Sequence, residues 1–82
     1  MIDVGVKFFG PVRDIVKKDE LSISVPPPYT GESAYDTLAS LYPQLLPWKH
    51  SVRLAVNLEY VTFDHPLHQG DEVSLIPPVS GG

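Results

Sequence analysis

The sequence closes on Ile76-Pro77-Pro78-Val79-Ser80-Gly81-Gly82, and this segment carries the most reactive possibility in the chain. Pro77 and Pro78 lack backbone donors, so strand pairing has to stop there. Tandem proline favours a stiff, extended path that projects the following residues away from the body. Gly81 and Gly82 have no side chains and can thread a channel that other residues would block, with Val79 and Ser80 preceding them on the threading tail. Extended, the segment beyond Ile76 spans up to ~20 Å. The predicted group at its end is a free carboxylate on Gly82, ionised at neutral pH with a reference pKa of ~3.3–3.7. Held by a partner enzyme, such a carboxylate attacks the α-phosphate of ATP and becomes an acyl-adenylate. That mixed anhydride then accepts sulfur to give a thiocarboxylate, or an amine to give an amide. The chain has no cysteine, which leaves the terminal carboxylate as the only plausible sulfur-bearing group. An inert, frayed end is the other reading of a glycine pair.

The remaining reactive residue types form no catalytic constellation. His65 and His68 are three apart, but Pro66 and Gly70 make this stretch a turn, and no second cluster supplies further metal ligands. Asp19-Glu20 and Asp71-Glu72 sit where strands begin, as solvated turns do. No nucleophile elbow and no glycine-rich phosphate loop occurs. The chain by itself is a poor enzyme candidate, with no metal or cofactor expected on it.

The elements that must position the tail belong to one small domain. There are 82 residues, 43% hydrophobic and 20% charged, with a net charge of -4; this is the balance of a folded chain. The acidic excess argues against nucleic acid or an anionic membrane as partner. No apolar run approaches a membrane span, and Met1-Ile2-Asp3 lacks the positive charge of a signal peptide, so the expected setting is the cytoplasm. Ile2, Val4, Val6 and Phe8 alternate as a strand. Pro11 to about Lys18 reads as a short amphipathic helix, and Leu21, Ile23 and Val25 as a second strand antiparallel to the first. Ser33 and Asp36 resemble a capping box for a main helix whose apolar face carries Ala34, Leu38 and Leu41, with Tyr35 and Tyr42 beside it. Residues 43–50 read as an irregular connection. Leu54 and Val56 mark a third strand, Tyr60 to Phe63 a short fourth and Glu72 to Ile76 the last. The expected fold class is α+β, a β-grasp over residues 1–76 with one main helix packed on one face of a mixed sheet, followed by an extended tail, 77–82.

Strand parity locates a docking face. With Val4, Val6 and Phe8 toward the helix, Phe9 points the other way. By the same count Val61, Phe63, Val73 and Leu75 face inward, while Tyr60 and Ile76 face out. Three large apolar groups on the uncovered side mark a partner site; the competing reading packs them beneath a loop around Trp48.

Several stretches resemble molybdopterin synthase small subunits. They are Val6-Lys7-Phe8-Phe9-Gly10-Pro11-Val12-Arg13, Ala55-Val56-Asn57, Val61-Thr62-Phe63-Asp64-His65-Pro66-Leu67, Gly70-Asp71-Glu72-Val73 and Pro77-Pro78-Val79-Ser80-Gly81-Gly82. Their order and spacing run nearly end to end, and the proline pair favours this family over the thiamine sulfur carrier and the ubiquitin-like modifier, which share Gly-Gly and the fold. The resemblance implies a ubiquitin-like β-grasp sulfur carrier. An adenylating enzyme, using ATP, activates Gly82, a sulfur donor converts it to a thiocarboxylate, and the tail enters the active site of the large synthase subunit. There cyclic pyranopterin monophosphate receives sulfur in molybdenum cofactor biosynthesis. It further implies a heterotetramer of two large and two small subunits, with the catalytic side chains on the large subunit. The family's hydrophobic contact surface lies at positions matching Phe9, Tyr60 and Ile76, with Arg13 and Glu59 as candidates for a polar rim. Protein modification, and sulfur delivery to thiamine or to tRNA, remain the alternatives that share the activation chemistry.

Overall fold

The computed structural model of the chain describes residues 1–78. Strand β1 (Ile2–Phe8) leads through a short helix, α1 (Gly10–Val16), into β2 (Glu20–Val25). The main helix α2 (Gly31–Leu41) follows, then a 3₁₀ helix (Pro43–Trp48) and strands β3 (Arg53–Val56), β4 (Glu59–Val61) and β5 (Glu72–Ile76). The strands form one mixed sheet in the order β2-β1-β5-β3-β4. β1 and β5 run parallel at its centre, and the other neighbours pair antiparallel. With α2 laid across one face, this is the expected β-grasp.

The core lies between that helix and the sheet. Val4, Val6 and Phe8 of β1, Ile23 and Val25 of β2, Leu54 and Val56 of β3, and Val73 and Leu75 of β5 are buried against Ala34, Tyr35 and Leu38. The period-2 alternation read from the sequence selects these residues, because successive side chains of a strand point to opposite faces. Tyr35, not Leu41, is the central helical contribution: Tyr35 is 1% exposed, whereas Leu41 is 58% exposed at the end of α2. The Tyr35 hydroxyl donates to the Leu45 carbonyl at 2.6 Å, tying α2 to the 3₁₀ helix. Burial pushes its pKa up to about 12.

Four expected local features take a different form. α1 stops at Val16 because Lys17 turns left-handed (φ 62), its N–H donating back to the Arg13 carbonyl at 2.7 Å. The cap of α2 is Thr30, whose hydroxyl accepts from the Ser33 N–H at 3.2 Å, so Ser33 lies inside the helix. The connection expected to be irregular is the 3₁₀ helix Pro43–Trp48. The fourth strand covers Glu59–Val61, because the carbonyls of Phe63 and His65 serve α2 instead. They accept from Glu32 N–H at 2.8 Å and Gly31 N–H at 3.0 Å, two of the donors that a helix start leaves unpaired. A Cβ on Gly31 would come within 2.6 Å of Leu54 Cδ1 and 3.2 Å of the Phe63 carbonyl oxygen, so any larger residue would have to displace the Leu54 side chain and crowd this latch.

Candidate functional site

The face of the sheet opposite α2 carries an apolar groove lined by Phe9, Ala55, Leu58, Tyr60, Ser74 and Ile76. Strand register builds it. Ala55 pairs with Tyr60 across β3 and β4, and with Ser74 across β3 and β5; cross-strand partners share a face. Ala55 and Ser74 form a floor of small residues, nearly buried although no helix covers them. Phe9, immediately after β1 and 45% exposed, Tyr60, 63% exposed, and half-buried Ile76 stand around it. The Arg53 guanidinium lies 5.0 Å from the centroid of the Tyr60 ring, a cation–π contact that places one positive charge beside an otherwise neutral groove.

The structure therefore brings together the three apolar residues expected to face a partner, but not the two rim residues. Arg13 lines a separate cleft with Asp14, Lys17, Lys18 and Asp19 and is ion-paired with Asp19. A second cleft is lined by both Arg13 and Phe9, so Arg13 borders the apolar face without lining the groove. Glu59 pairs with Val56, whose side chain points into the core, and so lies on the opposite face from Tyr60. Trp48 packs against the core cluster, not over the groove. Ala55, Leu58 and Ser74 escaped the sequence reading. Parity marks Ala55 and Ser74 as groove-facing, but their small size gave no apolar signal. Leu58 sits in a turn, where alternation says nothing.

That turn is held firmly. Asn57 and Leu58 join β3 to β4, both with positive φ, 51 and 74, the backbone of a tight hairpin. Asn57 reaches β5 with both ends of its amide: Nδ2 donates to Asp71 Oδ1 at 3.0 Å, and Oδ1 accepts from the Glu72 N–H at 3.1 Å. Asp71 also accepts from the His68 N–H at 2.9 Å. Burial would raise the Asp71 pKa, but the donors from His68 and Asn57, helped by the nearby imidazoles, outweigh it and hold the carboxyl below its ordinary value. His65 contributes its backbone carbonyl to α2, and His68 is exposed beside Asp71. Among the described residues no three His, Cys, Asp or Glu side chains converge as a metal site would require.

β5 ends in the groove. Ile76 is both a groove residue and the last residue of the strand, and Pro77 follows it against α1, close enough that a Cβ on Gly10 would lie 3.0 Å from Pro77 Cγ. The tail positions singled out in the sequence, Val79, Ser80, Gly81 and Gly82, lie outside the described residues. No helix among the described residues is long and apolar enough to cross a membrane.

Comparison with known proteins bears on this arrangement. The ThiS family model matches residues 6–82. The molybdopterin synthase sulfur carrier subunit of Escherichia coli (strain K12) is 37% identical over 84 residues, covering 96% of this chain and 99% of that one. H. volcanii small archaeal modifier protein 1 superposes with a TM-score of 0.87 at 21% identity, over 96% of this chain and 100% of that chain; at that identity it speaks for the fold alone. A chain from the complex of subunits 1 and 2 of the molybdopterin-converting factor of Helicobacter pylori is 28% identical with a TM-score of 0.63, covering 99% of this chain and 100% of its own.

Proposed function

The chain belongs to the ThiS family, and from that premise we propose that it is the sulfur-carrier small subunit of a molybdopterin synthase. The observation that carries this reading is the continuity of the apolar groove with the root of the tail: Ile76 belongs to both. A partner that receives Gly82 has to approach along the end of β5, and there it meets Phe9, Tyr60 and Ile76. Relatives carrying the same name, and a relative found in complex with a second subunit, support the same assignment.

In this reading residues 1–76 are the docking body and 77–82 the delivery arm. The Gly82 carboxylate attacks the α-phosphate of ATP on an adenylating partner, and pyrophosphate leaves. A sulfur donor then displaces AMP, giving the thiocarboxylate. The body docks on the large synthase subunit through the groove, and the arm carries the sulfur to cyclic pyranopterin monophosphate, returning with a carboxylate. The chain supplies positioning and the terminal acyl group, while ATP and the catalytic side chains belong to the partners. The setting is the cytoplasm, and a heterotetramer with the large subunit is the working assembly.

The test is mass spectrometry of the C-terminal peptide from protein co-expressed with its adenylating and sulfur-donor enzymes. Sulfur located on Gly82 by fragmentation supports the carrier; the peptide is used because in the intact chain oxidation of Met1 gives nearly the same mass change. An isopeptide bond from Gly82 to a lysine, or an unmodified carboxylate beside active partner enzymes, refutes it. A chain lacking Gly82 is expected to dock on the large subunit and to yield no molybdopterin; normal product would refute the assignment equally.

A further inference from the structure

We infer that Leu58 is a docking anchor, a fourth apolar contact for the large subunit presented by the β3–β4 hairpin. This rests on the carrier reading above and extends it to a residue whose position in a turn hid it from strand parity. Three observations carry it. Leu58 is 86% exposed, the most exposed large apolar residue among those described, so it contributes nothing to the core. It holds a left-handed backbone, φ 74, at the second position of a two-residue hairpin, where glycine is the favoured residue and a bulky side chain is strained. And it lines the groove beside Tyr60, continuous with Phe9 and Ile76.

An exposed leucine in a strained turn is doubly unfavourable for the isolated domain. The neighbouring residue shows that the turn is designed to be rigid: Asn57, a type that tolerates the left-handed region, is fastened to Asp71 and to the Glu72 N–H of β5. The clamp holds Leu58 in place before any partner arrives, so docking loses little conformational entropy. Its position at the outer end of the groove also suits discrimination. A partner with a matching apolar pocket gains the contact, and one without it leaves the side chain in water.

The experiment compares Leu58→Gly and Leu58→Asn with the unaltered chain and with Tyr60→Ala, measuring melting temperature and the Kd for the large subunit. Both Leu58 variants suit a left-handed turn, so the expected result has opposite signs. The melting temperature is unchanged or raised by up to about 4–8 °C, while Kd for the large subunit weakens about tenfold, the scale of an interface anchor. Both Leu58 variants binding within twofold of the unaltered chain, while Tyr60→Ala weakens binding, would overturn the anchor and leave the carrier reading standing. A lowered melting temperature in both variants would also overturn it, since the side chain would then serve the fold. If neither the Leu58 variants nor Tyr60→Ala weakens binding, the groove is not the docking face, and both readings of it fall together.

Discussion

Replacing Tyr60 with alanine tests the groove most directly. The ring stands 63% exposed on β4, an edge strand of the sheet. A tyrosine offers roughly 200 Å² of surface, so covering the exposed share removes roughly 125 Å² from water. At ~25 cal/mol per Å² that is worth about 3 kcal/mol to a complex that buries it fully. Alanine keeps only the Cβ, and imperfect coverage lowers the figure, so Tyr60→Ala is expected to weaken docking by about 2–3 kcal/mol, or roughly 30- to 150-fold in Kd. The fold should lose far less. The ring contributes to the free domain chiefly through its contact with Arg53 at 5.0 Å, worth ~0.5–1 kcal/mol at an exposed site. Isothermal titration calorimetry against the large subunit, paired with a circular dichroism melt, separates the two effects. Leu41→Ala is the matched control, because Leu41 is 58% exposed but belongs to the helix layer on the other side of the sheet. Unchanged affinity for Tyr60→Ala with an intact melt would remove Tyr60 from the docking face and refute this reasoning. Equal losses for Tyr60→Ala and Leu41→Ala would show that surface hydrophobicity, and not this groove, drives association.

Two further predictions concern the scaffold that aims the site. Tyr35→Phe removes the hydroxyl's bond to the Leu45 carbonyl, which ties α2 to the 3₁₀ helix, a net loss of about 0.5–1.5 kcal/mol; a melt lowered by less than about 2 °C would mean that the bond adds little to stability. The second concerns acid. Asp71 has a folded pKa below its ordinary value, so its ionised form stabilises the native state above the unfolded value near ~3.9, and that contribution is lost as pH falls through the lower folded value. Asp71→Asn is expected to flatten the acid limb of stability below about pH 4 in urea titrations; an identical limb would remove Asp71 from the hairpin clamp.

Much of the fold was legible because its signals are local. Alternation along Ile2–Phe8 and Glu72–Ile76 reports a sheet with one buried face, and both strands occur where the pattern lies. The misplaced features are those decided by distant partners. Ser33 has the residue types of a cap, yet Thr30 caps α2, because the carbonyls of Phe63 and His65 meet the helix one turn earlier. Leu41 fits the helical stripe but lies exposed at the end of α2, while Tyr35 fills the centre. In the candidate site, Phe9, Tyr60 and Ile76 were readable from parity. Glu59, expected at the polar rim, is turned to the other face by its register with Val56.

By itself, the sequence determined the chemistry available to this protein. A cysteine-free chain that carries a Pro-Pro-Val-Ser-Gly-Gly segment offers no thiol for sulfur, so the carrier reading places it on the acyl group of Gly82, because reactivity depends on which atoms are present. It also determined which side of each strand is apolar, since the pleat alternates with a period of two. Only the tertiary structure decided that these faces make one groove. The sheet order β2-β1-β5-β3-β4 sets β5 between β1 and β3, bringing Phe9, Ala55, Tyr60 and Ile76 together from segments far apart in sequence. It also clamps the Asn57-Leu58 turn onto β5. Those contacts arise from long-range pairing and burial, which local periodicity does not encode.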